Sequence, residues 1–187
     1  VVSRLAVAAT ANGRERLGRL TRDALRRLAD RGLAVLRAHG LNAELSALCL
    51  SANTAMTAIT LGLDTRGLAV APYSLPYAGG QWEDVPGLPR LWTPPQLSPF
   101  VGGDIAAGYA ALALDPERPE PDYPFLLADL GTNGEFLLAL GPDFALAASV
   151  ALGPALEGIG LAHGVEARPG AISGFSLTPR GLVTLRL

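Results

Sequence analysis

Asp129-Leu130-Gly131-Thr132-Asn133-Gly134-Glu135 lies between two apolar runs of strand length, Phe125 to Ala128 and Glu135 to Leu140. Asn-Gly is the commonest signal of a tight hairpin, because the favoured two-residue turns need positive φ. A turn by itself needs nothing more. It leaves Asp129 unexplained, since this carboxylate directly follows Phe125-Leu126-Leu127-Ala128, a run apolar on both faces and therefore expected to form a central, buried strand. A carboxylate placed there requires turn amides or a metal ion as its partner. Glycines let the amides of a turn approach a phosphate, Thr132 adds a hydroxyl, and Asp129 can hold a magnesium-bound or attacking water. Beside the plain hairpin, the spacing thus makes Asp129 a candidate catalytic residue and, through water, a magnesium ligand. Gly131, Thr132, Asn133 and Gly134 become candidate phosphate binders.

Working outward, Phe144 to Val150 is a third apolar run, so the region reads as a three-strand meander. A short helix is expected from Pro154 to near Gly164, followed by strands at Ala171 to Leu177 and Leu182 to Leu187. Upstream, Arg14 to His39 has leucines near helical spacing and reads as one long amphipathic helix ended by Gly40. Its arginine face is interleaved with Glu15, Asp23 and Asp30, the pattern of a solvated face. Leu45 to Leu50 reads as a strand with Cys49 in the core, and Asn53 to Leu61 as a helix capped by Ser51 or Asn53. Asn53 and Thr54, at a strand-to-helix turn, are either simple capping residues or a second anion contact. Gly67 to Phe100 carries seven prolines and reads as a long irregular connection with at most short strands. Phe100 to Leu114 is a helix of small residues that lets another backbone come close. At its start, Gly102-Gly103-Asp104 offers two readings: a carboxylate complementing the helix N-terminus, or a hinge between lobes.

Composition narrows the chemistry. The 187 residues carry a net charge of -2, 49% hydrophobic residues and one cysteine. That is enough apolar mass for a real core in a soluble chain. Neither a basic stripe with interleaved aromatics nor an excess of positive charge points to nucleic acid. All fifteen basic residues are arginine, which excludes lysine chemistry, including the lysine of a Walker-type phosphate loop. Cys49 alone cannot hold an iron-sulfur cluster or close a disulfide within the chain, so a reducing cytoplasm is expected. The uncharged run Leu45 to Leu63 is long enough to span a bilayer, yet it carries six Ser, Thr and Asn residues, so no membrane segment is expected. Val1 to Ala9 holds Arg4 within its apolar run, unlike a signal peptide. Gly158-Ile159-Gly160 lacks the spacing of a dinucleotide fingerprint, and Glu157, His163 and Glu166 lack that of a metal site.

Six motifs occur in a fixed order: Val2-Ser3-Arg4-Leu5, Asn53-Thr54-Ala55-Met56, Phe100-Val101-Gly102-Gly103-Asp104-Ile105, Asp129 to Glu135, Gly153-Pro154-Ala155-Leu156-Glu157-Gly158, and Gly170-Ala171-Ile172. In this order the chain resembles the ATPase part of the ferredoxin-headed reductive activators of corrinoid proteins, members of the actin, sugar-kinase and heat-shock-chaperone fold. The resemblance runs over essentially the whole chain. Its phosphate-loop hairpin is matched at Asp129, Gly131, Thr132, Asn133, Gly134 and Glu135, with Leu130 a conservative change. Ala52, Ala55, Leu152 and Glu166 depart from the family pattern.

The resemblance implies an α/β chain of two RNase-H-like lobes of an actin-like ATPase, incomplete at both ends. Residues 1–114 would be the end of the first lobe, with a Pro/Gly-rich insertion and a connecting helix. Residues 115–187 would open the second lobe and carry the phosphate hairpin. It further implies ATP and magnesium as cofactors, an iron-sulfur cluster only in an upstream domain, and a corrinoid protein as partner, with a homodimer left open. The family couples ATP binding or hydrolysis to uphill electron transfer onto a corrinoid cobalt. The energy for that step comes from differential affinity of nucleotide and partner for two conformations. Two alternatives remain at this point: a small-molecule kinase of the same fold, and a non-catalytic module that docks a partner through the loop from Gly67 to Phe100.

Overall fold

Thr10 opens the longest helix: its hydroxyl oxygen accepts a hydrogen bond from the Gly13 amide at 3.0 Å, satisfying one of the amides left bare at a helix start. In the computed structural model, which describes residues 2–117, 119–131, 133–152, 168–170 and 172–186, this helix α2 spans Ala11–Ala38 and follows a short α1, Val2–Ala8. Gly40, at φ +77°, ends it as the sequence predicts, with the Leu41 amide donating back to the Leu36 carbonyl at 3.0 Å. Two further helices follow, α3 over Thr54–Leu61 and α4 over Arg66–Ala69. Leu5, Ala55, Ala58 and Leu68 pack together as their shared core, with Leu63 against it.

Within the uncharged run, α3 is a buried helix whose threonine hydroxyls are satisfied internally. The Thr60 hydroxyl donates to the Met56 carbonyl at 2.8 Å, and that of Thr54 to the Ser98 carbonyl at 2.9 Å. No described helix is long and apolar enough to cross a membrane.

A small sheet has strand order β1-β3-β2. Strand β1, Ala47–Cys49, runs parallel to β3, Arg90–Thr93, which pairs antiparallel with β2, Gln81–Glu83. The proline-rich connection therefore supplies two short strands, one of them central. Cys49 is exposed, contrary to the expectation of a core cysteine. It lies on an edge strand and shares a register position with Trp92, on the face opposite the buried Leu91.

Helix α5, Gly103–Ala113, follows and packs Ile105 and Tyr109 against Val101, Leu137, Ala139, Phe125 and Leu127. Its small residues do permit close approach, since a Cβ on Gly108 would lie 3.2 Å from a Leu127 methyl. The meander is as expected: β4 (Phe125–Leu130), β5 (Asn133–Gly141) and β6 (Phe144–Ala151) form a sheet in the order β4-β5-β6. Near the end of the chain, β7 (Ile172–Thr178) and β8 (Gly181–Arg186) pair antiparallel. The helix expected from Pro154 lies outside the described residues, as do Gly158, Gly160, Glu157, His163 and Glu166.

Two compact units result. One comprises residues 1–127 and 136–148, the other 128–135 and 149–187.

Candidate functional site

The chain reverses between β4 and β5 within Asp129–Glu135 as expected, but Asn-Gly is not the turn: Asn133 and Gly134 already belong to β5, and the strands run closer together in sequence than the apolar runs alone predict. The Gly131 amide donates to the Asn133 carbonyl at 2.9 Å, closing the turn. Asp129 is exposed, and among the described strands β4 lies at the edge of the sheet it forms with β5 and β6. This corrects the expectation of a central, buried strand: Leu126 and Leu130 are 60% and 70% exposed, so the run apolar on both faces buries only its Phe125 and Leu127 side. The Asp129 carboxylate thus needs no buried partner and is free to meet solvent or a ligand. Gly134 and Glu135 are buried, and Asn133 is half-buried. Thr132 lies outside the described residues.

Gly131 is informative because its own turn does not demand glycine. Its φ is not in the left-handed region, and among the described residues a Cβ built on it would meet the Asn133 carbonyl oxygen at 3.6 Å and an Asp129 carboxylate oxygen at 3.9 Å, ordinary contacts. Among the described residues, then, nothing crowds this position beyond ordinary contact, and it lies directly beside the Asp129 carboxylate.

The other candidates meet in the first unit. Asn53 caps α3, its side-chain oxygen accepting from the Met56 amide at 2.9 Å; Ser51, the alternative cap, does not take that place. Gly102 lies against this cap, where a Cβ would come within 2.5 Å of the Thr54 amide nitrogen. At the start of α5 the amides are already used. That of Gly103 donates to the Gln96 side-chain oxygen (3.1 Å), that of Asp104 to the Ala52 carbonyl (3.3 Å), and that of Ile105 to an Asp104 carboxylate oxygen (3.0 Å). The structure thus brings Asn53, Thr54, Gly102, Gly103 and Asp104 together as a junction of two helix starts. The α5 end of that junction is closed by the protein's own acceptors rather than open to an anion.

Sequence reasoning missed Gln96. It is 4% exposed, and besides accepting from Gly103 its side chain donates to the Pro94 carbonyl at 3.0 Å. A glutamine among prolines carries no periodic signal, so only the fold discloses it. The other polar cluster, Tyr77 with Glu83 and Thr93 at 2.8 and 2.7 Å, is internally satisfied. Burial raises the Tyr77 pKa, which keeps the phenol protonated as a donor.

Among the described residues no group of three or more His, Cys, Asp and Glu side chains is arranged to enclose a metal. An exposed carboxylate such as Asp129 could be one ligand of a magnesium ion but could not hold one alone. Magnesium keeps most of its waters and is commonly held by one or two carboxylates together with a phosphate.

Comparison with known proteins is consistent along the whole chain. Residues 1–117 match the family model described as the RACo middle region, and residues 124–185 that of the C-terminal, ASKHA domain of RACo. The chain is 42% identical over 79 residues to the [Co(II) methylated amine-specific corrinoid protein] reductase of Methanosarcina barkeri, covering 41% of this chain and 14% of that protein. It is 35% identical over 129 residues to the corrinoid activation enzyme RamQ of Eubacterium limosum, covering 64% of this chain and 20% of that protein. The alignments thus span a fifth or less of these curated relatives. No solved structure matches the chain.

Proposed function

Since the chain belongs to the RACo family, spanning its middle region and its actin-like ASKHA domain, we propose that it is the nucleotide-responsive segment of a reductive activator of a corrinoid protein. The observation that carries this reading is the hairpin. The turn places the Asp129 carboxylate next to a glycine that its own backbone geometry does not require. A glycine of this kind suits the close approach of a phosphate to the Gly131 and Asn133 backbone. Bound magnesium-ATP would supply the phosphoryl chemistry. Asp129 would hold a magnesium-bound or attacking water through a carboxylate oxygen, with Gly131, Thr132, Asn133 and Gly134 lining the phosphates. Asn53 and Thr54 are the less direct nucleotide contacts, because capping and the Ser98 carbonyl already occupy their side chains.

In this proposal Gly102, Gly103 and Asp104 take the interlobe position. They act as an interlobe linkage and not as a flexing point: their backbone is bonded to Ala52 and Gln96, so a movement of α5 carries the α3 cap with it. Nucleotide would bias the protein between two conformations of unequal affinity for the corrinoid protein. An iron-sulfur cluster elsewhere in the complete protein would supply the electron that takes cobalt from Co(II) to Co(I). Two names bear on the partner: one relative is a reductase of a Co(II) corrinoid protein, the other a corrinoid activation enzyme. The test is an optical assay of Co(II) loss in the corrinoid protein, using the complete activator, a low-potential reductant, and magnesium-ATP present or withheld. Co(I) formation only with ATP supports the reading; equal formation without nucleotide contradicts it.

A further inference from the structure

Helix α2 buries one face and leaves a charged one bare. Gly18 is its buried residue, and Arg22 reaches across to the Thr60 carbonyl at 3.1 Å, which fixes the packed side. Eight of the helix residues are arginines and three are acids, in a chain whose net charge is -2. Three of those arginines are engaged: Arg14 with Asp64 at 3.5 Å, Arg22 with Glu15 at 3.4 Å, and Arg26 with Asp23 at 3.1 Å. The other five, Arg16, Arg19, Arg27, Arg31 and Arg37, are exposed and make no ion pair or side-chain hydrogen bond with any described residue. At about 3.6 residues per turn Arg16, Arg27 and Arg31 fall on the side of the helix opposite Gly18, with Arg19 and Arg37 on one flank of that face. Beside them runs an aliphatic ridge, with Leu20 at 52%, Leu28 at 63% and Val35 at 57% exposure.

Resting on the reading of the protein as an activator, we propose that this face docks the corrinoid protein, through a surface on that partner whose carboxylates adjoin an aliphatic patch. Charge complementarity selects the chemistry. Five guanidinium groups that no described residue pairs fit carboxylates two-pronged, and the ridge beside them gives a partner something apolar to bury. The exposed Asp30, interleaved with the arginines, disfavours a continuous row of phosphates, as on nucleic acid or an anionic membrane. The helix also has no aromatic residue to stack on a base or anchor at a lipid interface. A protein surface of mixed sign and net acidic charge is what remains.

The experiment measures the affinity of the complete activator for its corrinoid protein at two ionic strengths. It compares the wild type with an Arg27→Glu/Arg31→Glu variant and with Leu28→Gln. The double reversal should weaken binding by about tenfold or more and flatten its salt dependence. Leu28→Gln should weaken binding while leaving the salt dependence in place. Melting temperature and magnesium-ATP affinity should be unchanged in both. Equal corrinoid-protein affinity in all three proteins overturns the docking face while leaving the activator reading intact. A wild type that neither binds nor reduces the corrinoid protein overturns both. If the reversal instead abolishes capture on phosphatidylserine vesicles, or converts a dimer to monomers, with partner affinity retained, the face belongs to a membrane or to a second copy and the proposal is wrong.

Discussion

Gly102 lies so close to Asn53 that a Cβ on the glycine would sit 2.6 Å from the Asn53 Cα. The starts of α3 and α5 are therefore in backbone contact, and the junction has no room for a methyl group. The Gly102 backbone is extended, a conformation open to any residue, so the requirement for glycine comes from packing and not from dihedral strain.

Gly102→Ala should destabilise the protein by about 1 to 3 kcal/mol, because the atoms in the way are backbone and cannot swing aside. Gly32→Ala is the matched control. It lies within α2, with nothing within 4 Å of its would-be Cβ, and should stabilise by about 0.5 to 1 kcal/mol through helix propensity. Thermal melting of the two variants should move in opposite directions.

Gln96→Leu keeps the volume but leaves the Gly103 amide and the Pro94 carbonyl without their side-chain partner. A loss of about 1 to 3 kcal/mol is expected in denaturant unfolding. A variant as stable as wild type would show that water or a shifted α5 replaces both bonds.

The hydrogen bonds from Arg66 lower the Asp64 pKa from 3.8 to about 2. Its folded value lies below its unfolded one, so the contribution to stability is present above pH 3.8 and lost as pH falls through about 2. In a carbon-detected NMR titration, the Asp64 carboxyl should have its midpoint near 2. Arg66→Ala should return it toward 3.8.

Asp129→Asn should reduce nucleotide hydrolysis by the complete protein more than about tenfold, since it removes the charge that holds metal or water while keeping the shape. Because Asp129 is exposed, the melting temperature should not change. Unaltered phosphate release at saturating magnesium-ATP would remove Asp129 from the mechanism.

Features with a local cause were legible in the sequence. Gly40 ends α2 because only a left-handed residue lets the Leu41 amide turn back, and Asn53 caps α3 because its side chain reaches the Met56 amide. The meander followed from strand-length apolar runs between turn signals. Position within a sheet was not legible. Cys49 and Asp129 follow or sit in apolar runs that read as core, yet both are exposed and belong to strands at the edge of the described sheets, and a strand's neighbours are set by tertiary structure and not by its own residues. Gln96 was invisible because its partners, Pro94 and Gly103, meet it only through tertiary structure. The hairpin motif was legible as a turn and as a resemblance. That Gly131 is not demanded by its described surroundings emerged only from its backbone dihedral and contacts.

The most direct test of the nucleotide site is calorimetric titration of magnesium-ATP into the complete protein and its Gly131→Val variant. Among the described residues a Cβ at this position meets ordinary contacts, so the variant should fold and melt like wild type. Its branched side chain should nevertheless fill the space assigned to the phosphate and weaken nucleotide binding by about tenfold or more, or about 1.4 kcal/mol. Wild-type affinity in a variant of unchanged melting temperature would show that the hairpin is only a turn, and would contradict the account.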